Sequence, residues 1–376
     1  MAVEHCATLV VGGGIMGLAV AWALVRRGQP VTVVEQGAIP NPLGSSVDRH
    51  RLIRYAYGAE TGYMRMVADA YPAWERLWVD LGVRHYAETG TLILESGGGD
   101  WAARSAAAMA ADGLAVEAVS PAAAHHRWPM LRADFPGEIH YAPSGGVLFA
   151  EPIVRALGAW LDARPELATL VTASQVVAVD AAGARIALRD GRTLAADRLV
   201  IAAGPWTGRL LPELAAALSP SRQVVVYFAP PADLAAAWAG GPMILDIGTA
   251  DALYAVPPVR GTGLKIGRHA FGPAADPDID REPAPADIAP IRAAAAHCLA
   301  GFDRYGVAFA RTCFYTVADE ERFIVRPVVP DGRTWVLAGF SGHGFKFGPL
   351  IGERLAAALC GEAAAANVQA WAAGRG

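Results

Sequence analysis

A glycine-rich turn between an apolar run and a helix-forming run constrains this chain more than any other feature. Residues 9–11 lead into Gly12, Gly14 and Gly17, which have G-x-G-x-x-G spacing, and residues 18–27 favour a helix. In a strand–turn–helix unit the second glycine lets a pyrophosphate approach the backbone, and the third lets helix and strand pack closely. The helix N-terminus then faces the phosphates.

The residues after this turn complete a β-α-β unit. Residues 28–30 end the helix, residues 31–34 predict a second buried strand, and Glu35 follows 23 residues after Gly12. A carboxylate at this place accepts hydrogen bonds from ribose hydroxyls and disfavours a 2′-phosphate. The unit predicts a dinucleotide other than NADP, and alone it leaves FAD and NAD open.

A second strand–glycine-loop–helix unit narrows this choice. Residues 334–340 predict a buried strand, residues 341–348 a glycine-rich loop, and residues 350–359 a helix. The N-terminus of that helix would face an anion, a feature that suits the flavin pyrimidine carbonyl and that an NAD enzyme does not need. With the buried strand that ends at Ala203 and Gly204, this unit favours FAD.

Length and composition exclude several classes of protein. The 376 residues suffice for two domains, and the net charge of −4 argues against a nucleic acid partner. No run approaches the ~18 apolar residues of a membrane span, and the start lacks the basic segment of a signal peptide. The four cysteines lack C-x-x-C spacing, so no metal site is expected. We expect a cytoplasmic monomer.

The order of predicted elements indicates an α/β fold in which two domains alternate along the chain. Residues 1–84, 147–217 and 322–376 predict a Rossmann-like FAD-binding domain with the GxGxxG turn. Residues 85–146 and 218–321 predict a second, mainly antiparallel-sheet α+β domain for the substrate.

Three local patterns give expectations that the fold can test. Residues 86–94 and residues 170–180 each predict one strand, from their apolar and β-branched content. Residues 62–81 predict a long amphipathic helix that contains Pro72.

Lysine occurs at only two places, Lys265 and Lys346, although the chain has 32 basic residues. Lysine is a compact point charge that can titrate, whereas arginine is a planar fork that stays charged. Chance survival in an arginine-rich coding bias is one explanation. The other is that both lysines belong to a site, and we treat them as candidates.

Seven segments of the chain together resemble the monomeric sarcosine oxidase family, within the D-amino acid oxidase class of flavoenzymes. They are residues 12–17, 51–58, 144–149, 222–225, 263–269, 313–316 and 339–347. Both lysines fall in these segments. The resemblance implies FAD as the cofactor, and a small amino acid and O2 as reactants.

The resemblance also implies roles for individual residues. Cys313 would attach to the flavin 8α-methyl through a thioether, Arg51 would lie against the flavin face, and Lys265 would hold a water where oxygen reacts. Arg54 and Lys346 would bind the substrate carboxylate, which a planar fork and a point charge in a dry cavity suit well.

The remaining implied residues surround substrate or cofactor. Tyr254, His269 and Tyr315 would line the substrate pocket and act in catalysis with Lys265 and Arg51. The expected cofactor contacts, besides Arg51, Cys313 and Lys346, are Gly12, Gly14, Ile15, Met16, Gly17, Glu35, Ser45, Val176, Ala203, Gly204, Trp206, Gly342, Gly344 and Phe345.

Plainer interpretations exist for three of these residues. Arg54 would form an ion pair that holds its loop, Lys346 would lie on the surface where a helix begins, and Cys313 would be a buried thiol.

One segment departs from the family, because residues 47–50 read Val-Asp-Arg-His where sarcosine-oxidising members tend to carry His-Gly-Asp-Thr. The flavin environment could therefore differ, and His50 is either an additional base or a loop histidine.

These observations predict an FAD-dependent oxidase that converts a small carboxylated amine to the imine and reduces O2 to H2O2. The expected substrate is an N-methyl or cyclic secondary amino acid such as sarcosine, proline or pipecolate. The alternatives are an oxidase of an unusual or primary amino acid in secondary metabolism, a dehydrogenase with another electron acceptor, and a flavin-binding subunit without turnover. A cation at Lys265 favours oxygen as acceptor.

Overall fold

The computed structural model describes residues 3–249 and 252–375. The helices of these residues are α1 (Ile15–Val25), α2 (Thr61–Leu81), α3 (Trp101–Ala111), α4 (Pro121–Arg127), α5 (Ala150–Asp162), α6 (Thr207–Leu210), α7 (Ala232–Ala239), α8 (Pro285–Cys298), α9 (Gly348–Leu359) and α10 (Ala365–Ala372). None of them is long and apolar enough to cross a bilayer.

The strands of the same residues are β1 (Glu4–Val11), β2 (Val31–Val34), β3 (Arg51–Ile53), β4 (Tyr86–Glu88), β5 (Thr91–Glu95), β6 (Glu117–Ala118), β7 (Glu138–Ala142), β8 (Gly146–Leu148), β9 (Ala168–Val171), β10 (Val176–Asp180), β11 (Arg185–Leu188), β12 (Thr193–Ile201), β13 (Ser219–Ala229), β14 (Met243–Asp246), β15 (Leu253–Val256), β16 (Leu264–Arg268), β17 (Gly306–Val317), β18 (Ile324–Pro327) and β19 (Thr334–Ala338).

One eight-stranded sheet carries the glycine turn. Its order is β10-β11-β12-β1-β2-β9, with β19 beside β12 and β18 beside β19. Strand β1 pairs in parallel with β2 on one side and with β12 on the other. The order of the strands therefore reverses at β1, because its neighbours in sequence and in the returning chain lie on opposite sides of it. Such a reversal opens a crevice at the carboxyl ends of these strands.

Helix α1 is buried along its whole length, from Ile15 to Val25. Small residues allow this, because Gly352 of α9 lies against the backbone of Ala19. Both helices that follow a glycine-rich loop thus pack together on one face of the sheet, and their N-termini lie near the same crevice.

A second eight-stranded sheet has the order β17-β13-β16-β15-β14-β5-β7-β6 and is antiparallel except between β14 and β5. A three-stranded antiparallel sheet has the order β3-β8-β4. The expected α/β fold with a mainly antiparallel second sheet is confirmed. Arg51 lies on β3, Lys265 on β16, and Cys313 and Tyr315 on β17, so the site draws on several elements.

Two of the expected strands are each broken in two. Residues 86–94 form β4 and β5, which belong to different sheets, because the chain turns at Gly90 with φ of +73°. Residues 170–180 contain the end of β9 and all of β10, which lie at opposite ends of the sheet order, and Ala173 between them has φ of +50°. Apolar periodicity does not reveal such turns. The helix that contains Pro72 is present as α2.

Candidate active site

A cavity of about 410 Å³ lies at the carboxyl ends of β1, β2 and β12. The glycine turn at residues 12–16, Glu35 and residues 202–204 line it. Gly12 has φ of +112°, and a Cβ at this position would collide with the carbonyl oxygen of Ala202. Only glycine therefore fits here, and the turn presents bare backbone to the cavity.

The Glu35 carboxylate is fixed at the end of β2 by three donors. It accepts hydrogen bonds from the backbone N–H of Gly13 at 2.7 Å and of Gly37 at 3.0 Å, and from the Asn41 side-chain amide at 2.8 Å. These bonds hold the carboxylate at the cavity wall, where the sequence predicts a ribose contact.

Most residues expected at the cofactor line this cavity. They are Gly12, Gly14, Ile15, Met16, Glu35, Ser45, Arg51, Val176, Ala203, Gly204, Trp206, Gly342, Gly344 and Phe345. Gly17 lies behind the lining, where a Cβ would collide with the Gly12 carbonyl oxygen, so its contribution is close packing. Cys313 and Lys346 line a neighbouring cavity instead.

The neighbouring cavity has a volume of about 60 Å³ and shares the lining residues Arg51, Tyr315, Gly342 and Phe345 with the larger one. All residues expected to bind or act on substrate line it: Arg51, Arg54, Tyr254, Lys265, His269, Tyr315 and Lys346. Cys313 joins them because alternate residues of β17 point to the same face.

Arg54 and Lys346 are buried cations, only 6% and 4% exposed. Lys346 Nζ donates to the Tyr57 hydroxyl at 3.0 Å and to the His343 carbonyl at 2.8 Å. Arg54 donates to the Ala56 carbonyl, and its guanidinium carbon lies 4.4 Å from the Tyr57 ring centroid. A surface position for Lys346 therefore disagrees with the structure.

Neither cation forms an ion pair with a carboxylate in the described ranges 3–249 and 252–375. Burial lowers the pKa of Lys346 well below its ordinary value, and Arg54 lowers it further. Burial also lowers the pKa of Arg54. The ion pair considered for Arg54 is thus not seen there, and an anion in this cavity would stabilise both charges.

Two phenols and an imidazole face the same cavity. Burial and the neighbouring Tyr315 raise the pKa of Tyr254, and burial and Cys313 raise the pKa of Tyr315 to about 12. Both phenols therefore keep their protons at neutral pH and can donate hydrogen bonds. His269 Nε2 lies 3.3 Å from Glu321 Oε2, which orients the ring at the end of β16.

A buried carboxylate that the sequence left without a role, Asp48, lies behind this cavity. Asp48 Oδ2 accepts hydrogen bonds from Lys265 Nζ at 2.9 Å and from Arg51, and Oδ1 accepts one from the Tyr227 hydroxyl at 2.5 Å. Burial opposes ionisation of Asp48, but Lys265 and Arg51 hold its pKa well below the usual range. The carboxylate is therefore charged at all physiological pH values.

The loop that carries Asp48 and His50 also holds Lys265. Its Nζ also donates to the His50 carbonyl at 2.8 Å, and burial lowers its pKa to about 8 although Asp48 opposes that change. The His50 ring lines neither cavity, and burial together with Lys265 lowers its pKa to about 3. Of the two interpretations of His50, the structure favours the loop histidine.

Several residues of the site escaped the sequence predictions. Tyr57 and His343 lie inside segments that carry the family resemblance, and Asp48 lies in the segment that departs from it, so each had a signal. Asn41 and Glu321 had none, because they reach Glu35 and His269 only through the fold. In the described part of the chain, no group of three or more His, Cys, Asp or Glu side chains could hold a metal ion.

Comparisons with known proteins agree with this geometry. A family model described as FAD dependent oxidoreductase matches residues 7–358. The monomeric sarcosine oxidase of Bacillus sp. (strain B-0618) is 29% identical over 357 residues, which cover 93% of this chain and 91% of that protein. The peroxisomal sarcosine oxidase of Homo sapiens is 30% identical over 362 residues, with 92% and 90% covered. Glycine oxidase from Geobacillus kaustophilus, at 20% identity, has a TM-score of 0.81 over 96% of each chain, which shows a shared fold.

Proposed function

Since the chain belongs to the FAD-dependent oxidoreductase family, as the resemblance in its sequence predicted, we propose that it oxidises a small carboxylated amine to the imine and reduces O2 to H2O2. The observation that carries this proposal is the pair of buried cations, Arg54 and Lys346, in a cavity that adjoins the dinucleotide cavity. In the described residues these cations have no carboxylate partner, so the substrate is expected to bring one.

The residues around the larger cavity fit FAD. The bare backbone of the glycine turn and the N-terminus of α1 suit the pyrophosphate, and Glu35 suits the ribose. Gly342, Gly344 and Phe345, before α9, would hold the flavin end, with Arg51 at the boundary of both cavities. Bound FAD supplies an acceptor for two electrons from the amine.

Arg54 and Lys346 would bind the substrate carboxylate and so fix the amine in the smaller cavity. A bound carboxylate would stabilise the proton of Lys346, whose pKa burial and Arg54 lower. Tyr254 and Tyr315, as protonated phenols, would orient the amine nitrogen by hydrogen bonds.

His269 would accept a proton from the substrate ammonium, and its contact with Glu321 orients the ring for that step. The nitrogen lone pair would then form the C=N bond as the neighbouring C–H bond breaks, and the hydrogen would leave with two electrons, for which bound FAD would supply the acceptor. No aspartate or glutamate lines this cavity in the described residues, which leaves His269 as the group that would make the amine neutral before its C–H bond breaks. Water would hydrolyse an acyclic imine, whereas a cyclic imine would be kept.

The walls of the smaller cavity favour a small secondary amine. Leu52, Val225, Leu245 and Ile247 provide apolar contacts for an N-methyl group or a ring methylene. The relatives named sarcosine oxidases support N-methyl amino acids, and the name of the Bacillus relative supports a monomer. We therefore favour sarcosine, proline or pipecolate.

A peroxide-coupled screen of N-methyl, cyclic and primary amino acids tests the function. Peroxide production together with anaerobic bleaching of the flavin is expected for at least one secondary amino acid. Bleaching without any peroxide would assign the chain to the dehydrogenases. A flavin that no amino acid bleaches would indicate a subunit without turnover.

Replacing Cys313 tests the proposed covalent attachment. The thiol is buried beside Arg51 in the cavity next to the flavin end; burial raises its pKa and Arg51 opposes that rise. We expect acid precipitation of the wild type to leave the flavin in the pellet, and Cys313→Ala to release it into the supernatant. Cys360→Ala, at a half-buried cysteine on a different element, is the matched control and should retain the flavin. A yellow supernatant from the wild type would remove the attachment from the proposal.

A further inference from the structure

We propose that Asp48 is a positioning residue that keeps Lys265 charged and directs its remaining N–H into the smaller cavity. The proposal rests on the proposed oxidase function, in which Lys265 faces O2. It concerns a carboxylate in the segment at residues 47–50, where this chain differs from the family it resembles.

The geometry fixes the ammonium group from two sides. Two of its three N–H groups are used by Asp48 Oδ2 at 2.9 Å and by the His50 carbonyl at 2.8 Å. In the described residues the third has no protein acceptor, and Lys265 lines the smaller cavity. The Lys265 and Asp48 side chains are only 2% and 3% exposed, so water does not replace either bond.

Asp48 also balances charge among neighbouring cations. The groups that face it are Lys265, Arg51, Arg311, Tyr227 and His50, and Cys313 and Tyr254 also lie near Lys265. Without this carboxylate, Lys265 and Arg51 would be two buried cations with no counter-charge between them. Arginine keeps its proton in any protein environment, so Lys265 is the group that would become neutral.

Asp48→Asn keeps the shape of the side chain and removes its charge. In the wild type, Lys265 is charged below its pKa of about 8, so reoxidation by O2 should fall as pH rises through 8. In the variant we expect this inflection to move down by at least ~1 pH unit. Reoxidation at neutral pH should then slow about twofold for a shift of one unit and about tenfold for a shift of two units, and it should recover as the pH is lowered. Stopped-flow mixing of reduced enzyme with O2 measures both quantities.

A readout without turnover separates positioning from a general loss of structure. The absorbance of the oxidised flavin, titrated without substrate, should report the ionisation of Lys265, and its inflection should move down in Asp48→Asn. Lys265→Met should lack the inflection. Tyr227→Phe removes one hydrogen bond to Asp48 but leaves its charge, so the inflection should stay near that of the wild type. An unchanged inflection in Asp48→Asn would overturn the proposal.

A double variant covers the case in which Asp48→Asn alone does not fold. Asp48→Asn with Lys265→Met removes both charges and leaves Arg51 with its bonds to the Ser45 and His50 carbonyls. If Asp48 acts through Lys265, the double variant and Lys265→Met should reoxidise at equal rates. A slower double variant would contradict this. Absence of any O2 reaction in the wild type would instead count against the proposed function, and the absorbance titration would still test Asp48.

Discussion

Lys265→Met is expected to slow reoxidation of the reduced enzyme by about 10²–10³-fold, while reduction by substrate changes little. In the proposed oxidase reaction, reduction of O2 would pass through superoxide, so negative charge would develop where O2 meets the flavin. Lys265 is a buried cation that Asp48 and the His50 carbonyl hold in place, and we propose that it lies beside that site. Methionine keeps the length of the side chain and removes the charge, so the loss reports on electrostatic stabilisation.

The two half-reactions are measured separately by stopped-flow absorbance of the flavin. Lys346→Met is the matched control, because it makes the same substitution at the other lysine of the chain. It should weaken substrate binding and leave reoxidation near the wild-type rate. Equal slowing of both half-reactions in Lys265→Met would count against a role for Lys265 with oxygen.

The parts of the fold that the sequence predicts well are those with local causes. The turn at Gly12, the strand before Glu35 and the helix around Pro72 each depend on neighbouring residues, and the structure contains all three. The predictions of one continuous strand at residues 86–94 and at residues 170–180 were wrong for the opposite reason. Gly90 and Ala173 turn the chain so that each half joins a different partner, and only the assembled sheets determine where the halves go.

The same division applies to the site. Residue types and family resemblance indicated Arg54, Lys265 and Lys346, and the structure places them around one cavity. The charge balance among them could not be predicted, because it depends on which carboxylates come near in space. Asp48 reaches Lys265 across 217 positions of sequence, whereas in the described residues no carboxylate pairs with Arg54 or Lys346. The sequence therefore identified the three cations. It did not show that Lys265 has a carboxylate partner whereas Arg54 and Lys346 have none in the described residues.

Arg54→Ala should raise the KM for a carboxylated amine by about 10²–10³-fold, because the substrate carboxylate would lose the guanidinium that binds it. Arg54 is buried and has no carboxylate partner in the described residues, so its charge is available to the substrate. Lys346 alone would then hold the carboxylate, with a pKa that burial already lowers. Since binding needs the protonated lysine, the KM of the variant should rise further as the pH increases.

A substrate analogue without the carboxylate provides the control for Arg54→Ala. If the guanidinium binds the carboxylate, the methyl ester of the same amino acid should be oxidised by wild type and variant with nearly equal kcat/KM. Arg54→Lys keeps a charge without the planar fork and should fall between the two. An unchanged KM for the acid, or an equal loss for acid and ester, would exclude Arg54 from the carboxylate site. The stacking of Arg54 on Tyr57 would then be its remaining role, because that contact needs no anion.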